Sequence, residues 1–174
     1  GCGLRNPPRI RPRMNPELPP AARELQARGI PYRLFRHTQP VRSLEQAAAE
    51  RGQTPDQVIR SLLFRLSDSQ FLLVLAAGPQ QIPWKRLRQY LGTSRVTMAS
   101  DEEVLTVTGS PPGAVSPFGL PAPVRILADS RIFLPAEVSL GSGERGTALL
   151  LTQPALRQAL GAVESFQWEE APAA

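Results

Sequence analysis

The sequence has little cysteine and little histidine, and both scarcities limit its chemistry. Among 174 residues, cysteine occurs once, as Cys2, and histidine once, as His37. An internal disulfide, a Cys-x-x-Cys redox pair and a thiolate cage for zinc are therefore excluded, and a zinc site built on histidines is disfavoured. We expect a protein without a metal or another cofactor.

Long apolar runs are also missing. The longest, residues 62–64 and 71–77, are far shorter than the roughly 20 residues that cross a bilayer, and no signal-peptide pattern is present. The sequence therefore predicts a soluble, cytoplasmic protein without a membrane partner.

The net charge of +5 is concentrated at one end of the chain. Four arginines among the first 13 residues supply most of it, whereas residues 14–174 carry 16 basic and 15 acidic side chains. Overall charge therefore does not predict nucleic-acid binding, and only a local basic patch could support it. The densest such patch outside the first 16 residues consists of Lys85, Arg86 and Arg88.

The length suits one domain, with a short segment on either side. We predict a Pro/Arg-rich extended arm over residues 1–16, a domain over 17–168 and a disordered tail over 169–174. A solvated tail is favoured for this arm over a nucleic-acid-binding role.

Capping signals predict helices after Ser43, Thr54, Ser100 and Thr152, and another from Pro83 to Gly92. Apolar segments predict strands over 32–36, 61–66, 71–76, 124–128, 131–134 and 147–151, and the polar residues 67–69 predict a hairpin turn. The fold class is therefore α+β, a mixed and largely antiparallel sheet wrapped by helices. Glycine-rich loops typical of dinucleotide or nucleoside triphosphate binding are absent.

The most unusual segment, residues 109–119, is rich in glycine and proline. Such a loop can present backbone N–H groups, that of Gly113 among them, to a carbonyl or phosphate oxygen, although a rigid surface connection is the commoner outcome. The turn over 141–146 is more often a bulged hairpin than a ligand loop. Ser61 and Ser116 lack a nucleophile elbow, so Ser-His catalysis with His37 is a minor alternative.

Three segments, in the same order along the chain, resemble motifs of the YbaK/ProX family of aminoacyl-tRNA editing domains. They are Thr-Pro-Asp-Gln-Val-Ile-Arg-Ser-Leu-Leu-Phe over 54–64, Gly-Ser-Pro-Pro-Gly-Ala-Val-Ser-Pro-Phe-Gly over 109–119, and Gly-Glu-Arg-Gly over 143–146. The resemblance covers about residues 18–166. It implies a single YbaK/ProX-like domain that hydrolyses the ester of a mischarged tRNA carrying a small amino acid such as Ala, Cys, Ser, Thr or Pro.

The resemblance also implies the roles of individual residues. Arg60, Gly109 and Gly113 are expected to act on the ester. Lys85, Arg86 and Arg88 are expected to bind the acceptor stem because they form the densest basic patch outside the arm, not because of a family motif. Residues expected to bind the aminoacylated 3′ end are Phe35, His37, Ser61, Pro112, Ala114, Ser116, Gly143, Arg145, Gly146 and Ala148. The implied partners are aminoacyl-tRNA and, as a further option, an aminoacyl-tRNA synthetase.

Two positions depart from the family pattern. Arg60 stands where the family usually has lysine, and Ala148 stands where it often has an acidic residue. An arginine can still anchor a phosphate or ribose, but it does not release a proton near neutral pH. The alternative of a binding module that keeps the pocket but has lost turnover therefore stays open.

Overall fold

Side-chain caps begin three helices in the computed structural model, which describes residues 18–168. Ser43, Ser100 and Thr152 accept hydrogen bonds from backbone N–H groups of the first turns of α2 (Leu44–Glu50), α4 (Asp101–Thr108) and α5 (Gln153–Leu160). Helix α3 (Trp84–Leu91) follows Pro83 and ends at Gly92, whose φ is 67°. These four predicted helices are confirmed, whereas the predicted arm and tail lie outside the described residues.

Two helical segments differ from the prediction. The capping box at Thr54 starts only a short 3-10 helix, Pro55–Gln57, because the next strand begins two residues later. Helix α1 (Pro20–Ala27) was not predicted; it buries Ala21, Ala22 and Leu25. Its N-cap, Pro19, makes no side-chain cap bond, so the usual start signal is absent.

The strands are Arg33–Arg36 (β1), Ile59–Ser67 (β2), Gln70–Ala77 (β3), Thr97–Met98 (β4), Arg125–Asp129 (β5), Glu137–Gly141 (β6), Thr147–Thr152 (β7) and Glu164–Phe166 (β8). They form two sheets. The smaller has the order β1-β7-β6 and is antiparallel throughout. The larger has the order β4-β2-β3-β5-β8, in which β3–β5 and β5–β8 are the parallel pairs. An isolated bridge between Val58 and Ser139 links the two sheets.

The predicted α+β class is confirmed, and so is the β2–β3 hairpin, in which Ser67 pairs with Gln70 across the turn. The predicted strand over 131–134 is wrong: Ser130–Phe133 is a 3-10 helix. The cause is the preceding residue, because the carboxylate of Asp129 accepts the Arg131 N–H at 3.0 Å and caps the turn. Strand β6 forms instead, a few residues later.

Two hydrophobic clusters hold these layers together. The larger joins apolar residues of both sheets, with Leu63 and Leu75 from one and Leu140 and Leu149 from the other. The smaller lies on the opposite face of the larger sheet, where Leu87 of α3 is buried. Strand alternation turns Phe35, Ser139 and Ala148 to the other face of the smaller sheet, where Arg51 donates to the Ser139 hydroxyl. Within residues 18–168, no helix is long and apolar enough to cross a bilayer.

Candidate functional site

A row of three residues crosses the smaller sheet on the face away from the shared core. Phe35 of β1 pairs with Ala148 of β7, which pairs in turn with Gly141 of β6. Just beyond Phe35, the His37 N–H donates to the Gly146 carbonyl at 2.8 Å. Four residues that the family resemblance implied, Phe35, His37, Gly146 and Ala148, are thus neighbours. Ala148 is 0% exposed, so it forms the floor of this region and not its surface.

The loop over 109–119 begins where α4 ends. Gly109 terminates the helix in the left-handed conformation, with φ of 71°. The Ala114 N–H then donates to the Pro111 carbonyl at 3.1 Å, in a tight turn that contains Pro112 and Gly113, with φ of 84° at Gly113. Gly113 is exposed, and its N–H makes no hydrogen bond to any residue in 18–168. This N–H is therefore available to an external acceptor.

The loop and the 141–146 turn meet backbone to backbone. The Gly143 N–H donates to the Ala114 carbonyl at 2.8 Å. A Cβ atom at Gly141 would lie 2.2 Å from the Val115 carbonyl oxygen, so only glycine fits there. Gly141 was not among the predicted site residues. Its signal in the sequence is ambiguous, because a glycine at the end of a strand usually marks a turn.

Helix α1 holds the other end of the loop. A Cβ atom at Gly119 would lie 2.5 Å from the carbonyl carbon of Pro20, and the Gly119 N–H donates to the Glu24 carboxylate at 3.3 Å. The Ala21 N–H donates to the Ser142 carbonyl at 3.1 Å, which ties α1 to the 141–146 turn as well. The loop is therefore fixed at two points.

Two further predicted residues, Ser116 and Arg145, lie in these segments. Ser116 is buried, and its hydroxyl accepts the Phe118 N–H at 3.2 Å, which is a turn-forming contact. Arg145 is exposed at the tip of the 141–146 turn. A cavity of about 380 Å³ lies beside Phe118, between α1 and α5, and Arg60 is not among its lining residues.

Arg60 lies at the start of β2, half-buried. Its Nε donates to the Gly78 carbonyl at 2.8 Å, and its Nη2 donates to the Gln80 carbonyl. Desolvation by burial lowers the pKa of the Arg60 guanidinium. The neighbouring Ser61 hydroxyl is buried without a hydrogen-bond partner among the described residues. The hydrogen bonds of Arg60 thus run to the 78–80 segment, and its expected position opposite the 109–119 loop stays a prediction.

A second arginine reaches the same segment. Arg131 Nη1 donates to the Gln80 side chain, and its Nη2 lies 2.6 Å from the carboxylate of Asp129, which is 1% exposed. The Ala77 N–H also points to Asp129, at 3.5 Å. Sequence reasoning missed this arrangement, because the segment that carries Arg131 was expected to be a strand.

His37, whose side chain is buried, belongs to a chain of polar contacts that reaches the surface at Glu50. Its Nδ1 lies 2.7 Å from the Glu50 carboxylate, and its Nε2 accepts from Arg51 Nε at 3.1 Å. Arg51 Nη1 also donates to the Ser139 hydroxyl at 3.0 Å. Burial lowers the pKa of the Arg51 guanidinium, an effect that neighbouring Glu50 opposes. Of these four residues, the sequence predicted only His37 as a site residue. The spacing of Glu50, Arg51 and Ser139 along the chain does not indicate that they lie near it.

The basic patch of α3 lies beside aromatic rings. Lys85 and Arg88 are exposed, and the Arg88 guanidinium lies 5.5 Å from the Trp84 ring centroid. Arg86 lies 5.9 Å from the Phe166 ring centroid. These contacts hold the guanidinium groups by cation–π attraction without removing their charge. In the described part of the chain, no three Asp, Glu, His or Cys side chains are grouped as metal ligands would be.

Comparisons with known proteins place these segments in a family context. Residues 38–159 match the family model described as aminoacyl-tRNA editing domain. A proline–tRNA ligase of Trichlorobacter lovleyi is 30% identical over 108 residues, which are 62% of this chain and 19% of the ligase. A proline–tRNA ligase of Bacillus licheniformis is 33% identical over the same shares of the two chains. The chain thus spans about one fifth of the length of these curated relatives.

Solved structures share the fold. The crystal structure of a candidate trans-editing enzyme for prolyl tRNA synthetase has a TM-score of 0.75 at 23% identity, and the match covers 85% of this chain and 93% of that one. The crystal structure of a hypothetical protein has a TM-score of 0.74 at 25% identity and covers 84% of this chain and 97% of that one. The architecture is therefore shared over nearly the whole length of both structures.

Proposed function

Since the chain belongs to the aminoacyl-tRNA editing domain family, we propose that it hydrolyses the ester bond of mischarged tRNA in trans. The observation that carries the proposal is the exposed Gly113 N–H, which has no acceptor among residues 18–168 and sits on a loop that is fixed at two points. A fixed donor of this kind stabilises an oxyanion without having to reorganise during the reaction.

The reaction requires little from side chains. Water attacks the ester carbonyl carbon, and the carbonyl oxygen becomes an oxyanion that accepts the Gly113 N–H. The bond between carbon and the ribose oxygen then breaks, and the proton from water passes to that ribose oxygen. An aminoacyl ester is already activated, so positioning and a hydroxyl of the terminal ribose can replace a nucleophilic side chain. Gly109 contributes by ending α4 at the start of the loop.

Arg60 is proposed to hold the 3′-terminal nucleotide. Two of its nitrogens bind the carbonyl groups of Gly78 and Gln80, while Nη1 makes no hydrogen bond within residues 18–168. A guanidinium that is already oriented by two carbonyl groups loses little entropy when it binds a phosphate or ribose oxygen. Because it stays protonated, Arg60 acts as an anchor and not as an acid.

The substrate is proposed to carry a small amino acid: Ala, Cys, Ser, Thr or Pro. Two relatives are proline–tRNA ligases and one structural neighbour is a candidate trans-editing enzyme for prolyl tRNA synthetase, so the tRNA for proline is the first to test. Phe35, Pro112 and the glycines of the 141–146 turn would surround the aminoacyl group, with Ala114 and Ala148 buried behind them.

The alternative, a binding module without turnover, is supported by one specific observation. Where the family often has an acidic residue, this chain has Ala148, which is fully buried and offers no polar contact. A polar contact to the substrate would then be missing, and binding could persist without hydrolysis.

Hydrolysis of a panel of mischarged tRNAs separates the two functions. The panel carries the five small amino acids on the tRNA for proline and on one unrelated tRNA, and release of the amino acid is followed over time. We expect hydrolysis of at least one, and we expect Arg60→Ala to impair it. Arg65→Ala is the matched control, because Arg65 lies on the same strand, is exposed and pairs with Asp68. Binding without release would favour the alternative.

A further inference from the structure

The His37 ring is held in one orientation by its neighbours. Its side chain is 1% exposed, and both ring nitrogens have partners. An arginine Nε can only donate, so Nε2 of His37 must accept, and the ring proton must lie on Nδ1. That Nδ1–H donates to the Glu50 carboxylate. The ring therefore cannot turn without losing both contacts.

Arg51 connects His37 to the smaller sheet. From the end of α2, its guanidinium bridges His37 on the chain just after β1 and Ser139 on β6. Ser139 is 0% exposed and precedes Gly141 by two residues, so alternation places both on the same face of β6. Gly141 is the residue against which Val115 of the loop packs. The chain of contacts thus ends beside the floor of the proposed site.

We infer that His37 is a positioning residue: through Arg51 it fixes α2 and β6 beneath the 109–119 loop, and it does not contact the substrate. This role rests on the proposed function. The charged groups that face the His37 ring are Glu50 and Arg51 from α2, and the Phe35 ring from β1 packs against it at 4.9 Å between centroids. Glu137 lies further along the same face and is bound by Arg33 and Gln53.

Two substitutions at one position test the role. His37→Leu removes both contacts, whereas the side-chain oxygen of glutamine in His37→Gln can still accept from Arg51. We expect His37→Leu to lower kcat/KM for deacylation about tenfold, mainly through kcat, and His37→Gln to restore most of it. Gln53→Leu is the matched control, because it deletes a neighbouring polar contact to Glu137 that does not involve His37.

Several outcomes would overturn the inference. One is a His37→Leu variant that keeps the parent kcat/KM while only its melting temperature falls; another is equal loss in both variants, which would indicate direct contact with the substrate. A parent protein that hydrolyses no member of the panel refutes the proposed function, and the inference falls with it. If His37→Leu does not fold, long-range ¹H–¹⁵N spectra of the parent decide, since a proton on Nε2 would contradict the contact chain.

Discussion

The two sides of the proposed site are built from different parts of the chain. The loop side is made of backbone: Gly141 and Gly119 lie so close to other main-chain atoms that no side chain fits at either position. The Arg60 side is made of side-chain donors that hold the 78–80 segment. Backbone contacts fix a shape and allow no substitution, whereas a cation can be exchanged for another. This difference predicts that a lysine can take the place of Arg60, whereas Gly119 and Gly141 tolerate no side chain.

The largest effect is expected from Gly141→Ala on the loop side. A Cβ atom 2.2 Å from the Val115 oxygen forces the loop or β6 to move, and we expect a loss of about 3 kcal/mol or more in the free energy of unfolding. Urea denaturation measures it. Gly29→Ala is the control, since Gly29 has φ of 70° but open space around it, and backbone strain alone costs about 1 to 2 kcal/mol. Equal losses would show that the close approach is unimportant.

On the cationic side, Arg60→Ala should impair deacylation or binding of the tRNA end more than Arg60→Lys. Loss of a hydrogen bond to a charged group costs about 1.5 to 3 kcal/mol, which corresponds to roughly 10- to 160-fold in rate. Single-turnover kinetics on the same mischarged tRNA measure both variants.

Two results would change this interpretation of Arg60. Full activity in Arg60→Ala would remove the residue from the site. Activity of Arg60→Lys far above that of the parent would mark the natural arginine as an impairment and would support the binding module.

A smaller effect is expected from substitutions in α3. This helix is proposed to bind the body of the tRNA, outside both sides of the proposed site. Replacing Lys85, Arg86 and Arg88 together by glutamine should weaken tRNA binding and make it less dependent on salt, because each neutralised phosphate releases counterions. The slope of log K against log salt should shrink by about 2 to 3. Fluorescence anisotropy at several salt concentrations measures this slope.

Deletion of residues 1–13 is the control for that experiment, since this segment holds four arginines. If the deletion abolishes binding while the triple variant binds normally, the arm and not α3 makes the phosphate contacts.

The smallest effect concerns Glu137, which joins β6 to β1. A hydrogen bond from Arg33 at 2.8 Å lowers the pKa of the Glu137 carboxyl, and Gln53 adds another. The stabilisation is therefore complete above the ordinary glutamate pKa of about 4.3 and is lost as the pH falls through the lower value of the folded state. Melting temperatures at pH 7 and pH 3 should differ less for Glu137→Gln than for the parent. An unchanged pH dependence would contradict this assignment.

Local signals in the sequence predicted most helices and the β2–β3 hairpin, because caps and turns act over a few residues. Helix α1 was missed because it starts without a side-chain cap and buries small residues, Ala21 and Ala22, which give a weak apolar pattern. The segment 131–134 was misjudged because its conformation depends on the carboxylate of Asp129, whose capping role is not visible in an apolar pattern.

For the site, the resemblance identified the segments but not their contacts. The sequence marks 109–119 and 143–146 as rich in glycine. That position 141 must be glycine follows only from the packing of β6 against the loop. Likewise, Glu50 and Arg51 lie on the helix α2 side of the site, and only the tertiary structure brings them to His37. Contacts between residues far apart in the chain produce no periodic pattern in the sequence, so the roles of Gly141, Glu50 and Arg51 could not be predicted.

The pairing of β1 with β7 also determines the order in which the strands can pair while the chain is being synthesised. Arg36 pairs with Thr147, roughly 110 residues later, whereas the β2–β3 hairpin closes across a two-residue turn. Ribosomes add about 5 to 20 residues per second, so several seconds separate the emergence of the hairpin from that of β7. The row of Phe35, Ala148 and Gly141 therefore forms only after β7 has been made. A nascent chain acquires the floor of its site later than the hairpin of the larger sheet.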